Sequence, residues 1–274
     1  MAYIDDILVQ FKNMIEQAII TGGAKGKESM IRSSGLINLI HDAVKYELQQ
    51  NSVNPSNIFP AFGDRKPEIK MAGFLKPKNQ DVCVIPSNIE KKPGRITWGP
   101  MAYQENIDPY GFEYSTNTLV INVRSQMSSL AKNSDTLFER TFAEALNLHL
   151  RYPDMVLGEV YVIPVNEYDD IEVANNRVKF KEYQTNVEKY ISFFDSINNR
   201  QKDDPAYMYE RCALLVIDFS KDKPKLFRNS DELKSEGIIS DNFQIEYATL
   251  GFDNFANDIL EIYKQRHNIK NILV

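Results

Sequence analysis

The residues that could do chemistry in this chain gather between positions 47 and 149. In TLVINVR (118–124) and the two residues after it, strand alternation puts Leu119, Ile121 and Val123 on one face and Val120, Asn122, Arg124 and Gln126 on the other. Three polar side chains thus share one strand face. Ser128, Ser129, Lys132 and Asn133 follow at once, and their hydroxyl, ammonium and amide groups suit phosphate oxygens. Upstream, residues 61–100 hold 8 basic side chains, among them Lys70, Lys76 and Lys78, against 4 acidic ones, Asp64, Glu68, Asp81 and Glu90. The whole chain carries −6, with residues 1–100 at +3 and the remainder at −9. A basic patch on an acidic body fits a protein that grips phosphates in one cleft, and equally a solvated lysine-rich loop.

Other motifs point elsewhere or nowhere. TGGAKGKES (21–29) has GxxxGK spacing rather than GxxxxGK[ST] and follows a helix pattern, so no nucleotide phosphate loop and no nucleotide cofactor is expected. Cys83 and Cys212 sit in apolar strand-like runs and read as buried thiols rather than a disulfide or zinc pair. His149 reads as a satisfied core histidine, and Asp169, Asp170 and Glu172 as a solvated acidic loop. Arg140 and Glu144 have the spacing of an i,i+4 surface pair. Glu47, on the apolar stripe of a helix, must point inward or snorkel, and Glu159, inside an apolar strand, needs a partner. No Ser-His-Asp or Cys-His order is legible.

The elements that must position these groups follow from periodicity. Ile4, Leu8, Phe11, Ile15 and Ile19 predict a helix over 4–20 stopped by Thr21-Gly22-Gly23, and Leu36, Ile37, Ile40, Val44 and Leu48 a second one from Ser33 to about Gln50. Residues 68–75 and 81–85 read as a hairpin around Lys76-Pro77-Lys78-Asn79. A long excursion over 86–116, rich in Pro, Gly and Tyr and holding the only tryptophan, Trp98, separates it from the strand at 118–124. Ser134 and Asp135 can cap the next helix, with Phe138, Phe142, Ala145 and His149 inward, before the all-apolar strand MVLGEVYVIPV (155–165). Beyond lie a helix over 182–198, strands over 212–219 and 243–249, and a closing helix over 253–267. With 274 residues, 43% hydrophobic and 26% charged, the composition is that of one globular α/β domain spanning 1–274. No run reaches the roughly 18 apolar residues of a membrane span and no signal peptide opens the chain, so a cytoplasmic protein is expected.

Read in order, residues 33–165 give helix, strand, strand, excursion, strand, helix, strand. That order, with Arg140-x-x-x-Glu144-Ala145-Leu146 after Lys132-Asn133 and with Asp81 heading a strand in PEIKMAGFLKPKNQDVCVIP, resembles the PD-(D/E)XK restriction-endonuclease superfamily over about half the chain. The resemblance implies an αβββαβ core, with residues 166–274 as a C-terminal α+β elaboration. It implies a type II, Mg²⁺-dependent endonuclease acting on double-stranded DNA as a homodimer, with base readout by the 86–116 excursion and C-terminal loops. The metal ligands would be Asp81 with Glu68 or Glu47, and DNA contacts would come from Lys70, Lys76, Lys78, Ser128, Ser129, Lys132, Asn133 and Arg140. The third-strand motif departs from the family pattern. Asn122-Val123-Arg124 stands where an acid and a lysine are usual, and a shifted register pairs Arg124 with Gln126 as an E-x-Q-like variant. Glu68-Ile69-Lys70 also spells E-x-K, with Asp81 on the following strand. Because of the departure, a catalytically inactive nucleic-acid-binding protein on the same fold stays open beside the nuclease, with a general α/β small-molecule enzyme third.

Overall fold

The computed structural model describes residues 3–274, Gln104 by its backbone. The helices α1 (Tyr3–Arg32) and α2 (Ser34–Gln50) lead into the short strand β1 (Ile58–Phe59). An accessory hairpin, β2 (Ile69–Met71) with β3 (Lys78–Gln80), precedes β4 (Val82–Val84). The excursion then contributes β5 (Gly94–Arg95), β6 (Ile107–Asp108) and α3 (Phe112–Thr116). It is followed by β7 (Leu119–Ser125), α4 (Leu130–His149) and β8 (Leu157–Pro164). The last part holds α5 (Asp170–Ala174), α6 (Val187–Ser196), β9 (Arg211–Asp218), β10 (Lys225–Leu226), α7 (Ser230–Ser235) and α8 (Phe255–Arg266).

Six strands form one mixed sheet in the order β1-β4-β7-β8-β9-β10. β7, β8 and β9 run parallel, whereas β4 is antiparallel to both β1 and β7, and β10 is antiparallel to β9. Every residue of β8 and β9 is buried, as expected of interior parallel strands covered on both faces. One face packs Val82, Ile121, Val160 and Leu215 against Ile15 of α1, Leu36 and Val44 of α2 and Ile259 of α8. The other packs Cys83, Val120, Tyr161 and Leu214 against Leu148 of α4 and Ile191 and Phe194 of α6. The result is a helix–sheet–helix sandwich.

Several boundaries differ from expectation. The first helix does not end at Gly23. It kinks there (φ 55°, ψ −138°) and runs on to Arg32, which makes TGGAKGKES helical. The expected 68–75/81–85 hairpin is instead β2 with β3, in the register Ile69↔Gln80 and Met71↔Lys78, while 82–84 join the main sheet. No strand forms among the described residues of 243–249, where a 3₁₀ turn takes Tyr247–Leu250. The C-terminal elaboration is not an appendage, since β9 and β10 extend the central sheet. Both cysteines are free and buried. Among the described residues, no helix is long and apolar enough to cross a membrane.

Candidate functional site

A polar cluster lies between the sheet and α4. β7 alternation carries Asn122 and Arg124 onto the α4 side, and the β7–β8 register places Asn122 beside Glu159. From above, α4 contributes Thr141 and Glu144. Lys78 enters from β3, its Nζ donating to Glu144 Oε2 at 2.5 Å and to Asn122 Oδ1 at 3.1 Å. Arg124 pairs with Glu144 through Nη2, donates Nη1 to Thr141 Oγ1 at 2.9 Å, and turns Nε toward Glu159 Oε1 at 3.4 Å. Arg140, one turn before Glu144, reaches Glu144 Oε1 at 3.3 Å while staying largely exposed. Three cations therefore converge on Glu144.

Lys78 can reach this point because α4 fastens the β2–β3 loop. Asn147 Oδ1 accepts from Leu75 N–H (2.7 Å) and Lys76 N–H (3.2 Å), and its Nδ2 donates to the Lys76 carbonyl at 3.1 Å. Arg151 Nε donates to the Gly73 carbonyl at 2.7 Å. A Cβ at Gly73 would lie 2.1 Å from Asn147 Nδ2, so this approach requires glycine.

Burial sets the electrostatics. Desolvation pushes the Lys78 amine down to about 8, reinforced by Arg124 and opposed by Asp81 and Glu159. Burial also raises the Glu159 carboxyl, which Arg124 and Lys78 only partly offset. Neither Glu159 oxygen has a well-formed hydrogen bond, its neighbours being the Asn122 amide and Arg124 Nε at 3.4 Å, although Glu159 and Asn122 are fully buried. Buried polar groups without partners are costly and therefore uncommon.

Asp81 stands beside this cluster at the head of β4. Its Oδ2 accepts the Val123 N–H at 2.9 Å, and its Oδ1 accepts no hydrogen bond from a described residue. One step beyond Ile69↔Gln80 the hairpin register sets Glu68 opposite Asp81, and Asn79 Nδ2 donates to Glu68 Oε2 at 2.6 Å from the same face. Both carboxylates also act on His41 of α2, whose ring burial holds below the ordinary range. Among the described residues, no three His, Cys, Asp or Glu side chains converge in a metal-holding group. Mg²⁺, however, is commonly held by one or two carboxylates, with phosphate and water completing its shell, and Asp81 with Glu68 is a donor set of that kind.

The sequence-predicted residues divide accordingly. Asp81, Asn122, Arg124 and Lys78 come together, with Glu68 and Lys70 on the adjoining hairpin. Glu47 does not join them. It lies on the α8 side, where burial and the Asp253 charge raise its carboxyl. Gln126 is absorbed in the core, its Oε1 accepting from Tyr161 Oη (3.1 Å) and Tyr190 Oη (2.8 Å). α4 begins at Leu130 rather than at a Ser134/Asp135 cap, because Glu167 takes the Ser129 and Leu130 N–H groups at 3.0 and 2.8 Å. The Ser129 N–H is thereby spent, Ser128 is half-buried, and Lys132 and Asn133 lie exposed in the first turn. Lys70, Lys76 and Arg140 are exposed. His149 is a satisfied core residue, bonded to the Ala206 carbonyl and Glu210. Asp169 caps α5 and Asp170 pairs with Lys27 and Lys181, so the acidic stretch is structural. Glu144, expected at the surface, is buried at 8% exposure, and Glu159 finds its partner in Arg124. Glu159's place in an apolar strand was the one signal of this. No protein-family model, curated protein or solved structure matches the chain.

Proposed function

We propose that this protein is a divalent-metal-dependent endonuclease of the type II restriction kind, cutting double-stranded DNA as a homodimer. The observation that carries the reading is the sheet itself. α2, β1, β4, β7, α4 and β8 occur in αβββαβ order with their four strands adjacent in one sheet, β4 antiparallel and β7–α4–β8 a parallel crossover. That arrangement supports a restriction-endonuclease-like core, with β1 standing where the sequence order had put the 68–75 strand, which pairs outside the main sheet. It sets Asp81 against the C-terminal half of β7, the end of a parallel pair where α/β sheets build their sites.

In this reading Asp81 and Glu68 would hold Mg²⁺, whose chemistry there would be to activate a water and neutralise charge on the phosphate. Lys78 and the exposed Arg140 contact the scissile phosphate, and Lys78 takes the place that Asn122-Val123-Arg124 leaves without a lysine. Arg124 stays protonated and secures Glu144 and Glu159. Lys70 and Lys76 grip the flanking backbone, with Lys132 and Asn133 in the first turn of α4. The test is to incubate plasmid DNA with Mg²⁺ and either the wild type or Asp81→Ala. Discrete fragments from the wild type alone are expected.

One observation favours a second reading, a DNA-binding protein without cleavage. Glu144 is already paired with Lys78, Arg124 and Arg140, and Glu159 faces Arg124. DNA retention without cutting at any metal concentration would establish it, and no retention at low salt would sink both.

A further inference from the structure

The excursion between β4 and β7 encloses a second site. Trp98, 46% exposed, is held by Phe74 (centroids 5.6 Å apart) and by the Arg151 guanidinium 4.9 Å from its ring centroid. Phe112, 60% exposed, lines the same open cavity of about 210 Å³ and leans on the buried Tyr152 at 5.8 Å. Lys92 and Arg95 complete the lining from the excursion, with Asp108 at its base. Asp108 is committed to the loop, accepting from the Tyr110 and Gly111 N–H groups at 3.0 and 3.1 Å and from Tyr152 Oη at 3.0 Å. Two large rings are left open to solvent, with Arg151 against Trp98 and with Lys92 and Arg95, paired to the exposed Glu113 and Glu105, on the rim.

Such chemistry fits a flat, electron-delocalised ring carried on a phosphate chain. Arg151 lies in the turn just past the end of α4, seven residues after Glu144 and on the order of 10 Å from it, so the cavity is within a few nucleotides of the Lys78–Glu144 cluster. We propose that the Trp98–Phe112 cavity captures a nucleobase displaced from its stack. This inference rests on the nuclease reading for its substrate. Aromatic faces stack any base, and enzymes that unstack a base house it in such pockets.

Trp98 is the only tryptophan in the chain, so intrinsic emission reports on this site alone. The full-length protein is titrated, without divalent metal, with a dye-labelled mixed-sequence single-stranded 12-mer and with an abasic 12-mer of the same backbone. Dye anisotropy records binding while tryptophan emission records stacking. The base-bearing strand should quench emission with the midpoint of its anisotropy curve, and the abasic strand should bind without quenching. Phe112→Ala, with its fold checked by circular dichroism, should weaken the base-bearing strand about 10-fold and leave the abasic one unchanged. Equal quenching by both strands, or binding of the base-bearing strand without quenching, overturns the pocket. Plasmid cleavage beside unquenched binding overturns the pocket and keeps the nuclease. Base-dependent quenching without cleavage keeps the pocket and removes the nuclease.

Discussion

Two glutamates of the central sheet region are sealed from solvent, Glu159 and Glu210, both at 0% exposure, and their surroundings predict opposite responses to the same change to glutamine. Burial alone would raise the Glu210 carboxyl. Interaction with His149, Arg266 and Arg200 outweighs it and holds the group at about 2, against 4.5 ordinarily. Its oxygens accept from Arg200 Nη1 (2.8 Å), Arg266 Nη1 (2.6 Å) and the Leu157 N–H (2.7 Å). A carboxyl held lower in the folded than in the unfolded chain contributes stability that is full above the unfolded value and lost as pH falls through the folded one. That shift corresponds to roughly 3 kcal/mol. Glu210→Gln also leaves two buried guanidinium groups without counter-charge, for a cost of about 3–5 kcal/mol and a Tm lower by roughly 10 °C. Glu159 has the reverse sign. Its carboxyl is raised and its oxygens lack well-formed hydrogen bonds, so the folded chain binds the extra proton and stability declines as pH rises through the folded value. Glu159→Gln is therefore expected to be neutral or stabilising by about 1 kcal/mol at neutral pH. Urea unfolding of both variants and the wild type, at neutral pH and near pH 4, reads the difference. A Glu159→Gln midpoint as low as that of Glu210→Gln would refute the reasoning.

Lys78, held down to about 8, should lose its proton as pH rises through that value, so DNA retention should weaken between roughly pH 7 and 9; Lys78→Arg, protonated throughout, should flatten the profile in a filter-binding series. Replacing Lys70, Lys76 or Arg140 singly by glutamine should reduce the slope of log affinity against log salt by about 1 each, and an unchanged slope removes that residue from the interface. Gly158→Ala should cost roughly 1–3 kcal/mol in urea unfolding, since its Cβ would meet Ile259 Cδ1 at 2.7 Å and Phe255 Cζ at 2.8 Å.

What periodicity governs was legible. The strands at 118–124 and 155–165, the amphipathic helices and the polar face of β7 all follow from side chains alternating or recurring against a core. What failed depends on contacts far apart in sequence. The start of α4 is set by Glu167, 37 residues beyond Leu130, and no local cap announces it. Gln126 shares its strand face with Asn122, yet two tyrosines from β8 and α6 claim it. The spacing of Arg140 and Glu144 fixes their pairing but not their depth, which is set by Lys78 of the docked hairpin and Arg124 of β7 closing on Glu144. Lys78 reads as one more basic side chain until the loop that carries it is fastened to α4.

That fastening has an evolutionary side. Asn147 and Arg151 hydrogen-bond the 73–76 loop and Trp98 through main-chain atoms of those residues, so the identities of the Leu75 and Lys76 side chains are not what seats the loop. Leu75 and Lys76 can be exchanged while the loop keeps its position, whereas Phe74 also supports Trp98. A lineage could diversify what this edge of the molecule touches, residue by residue, without rebuilding the scaffold that aims Lys78.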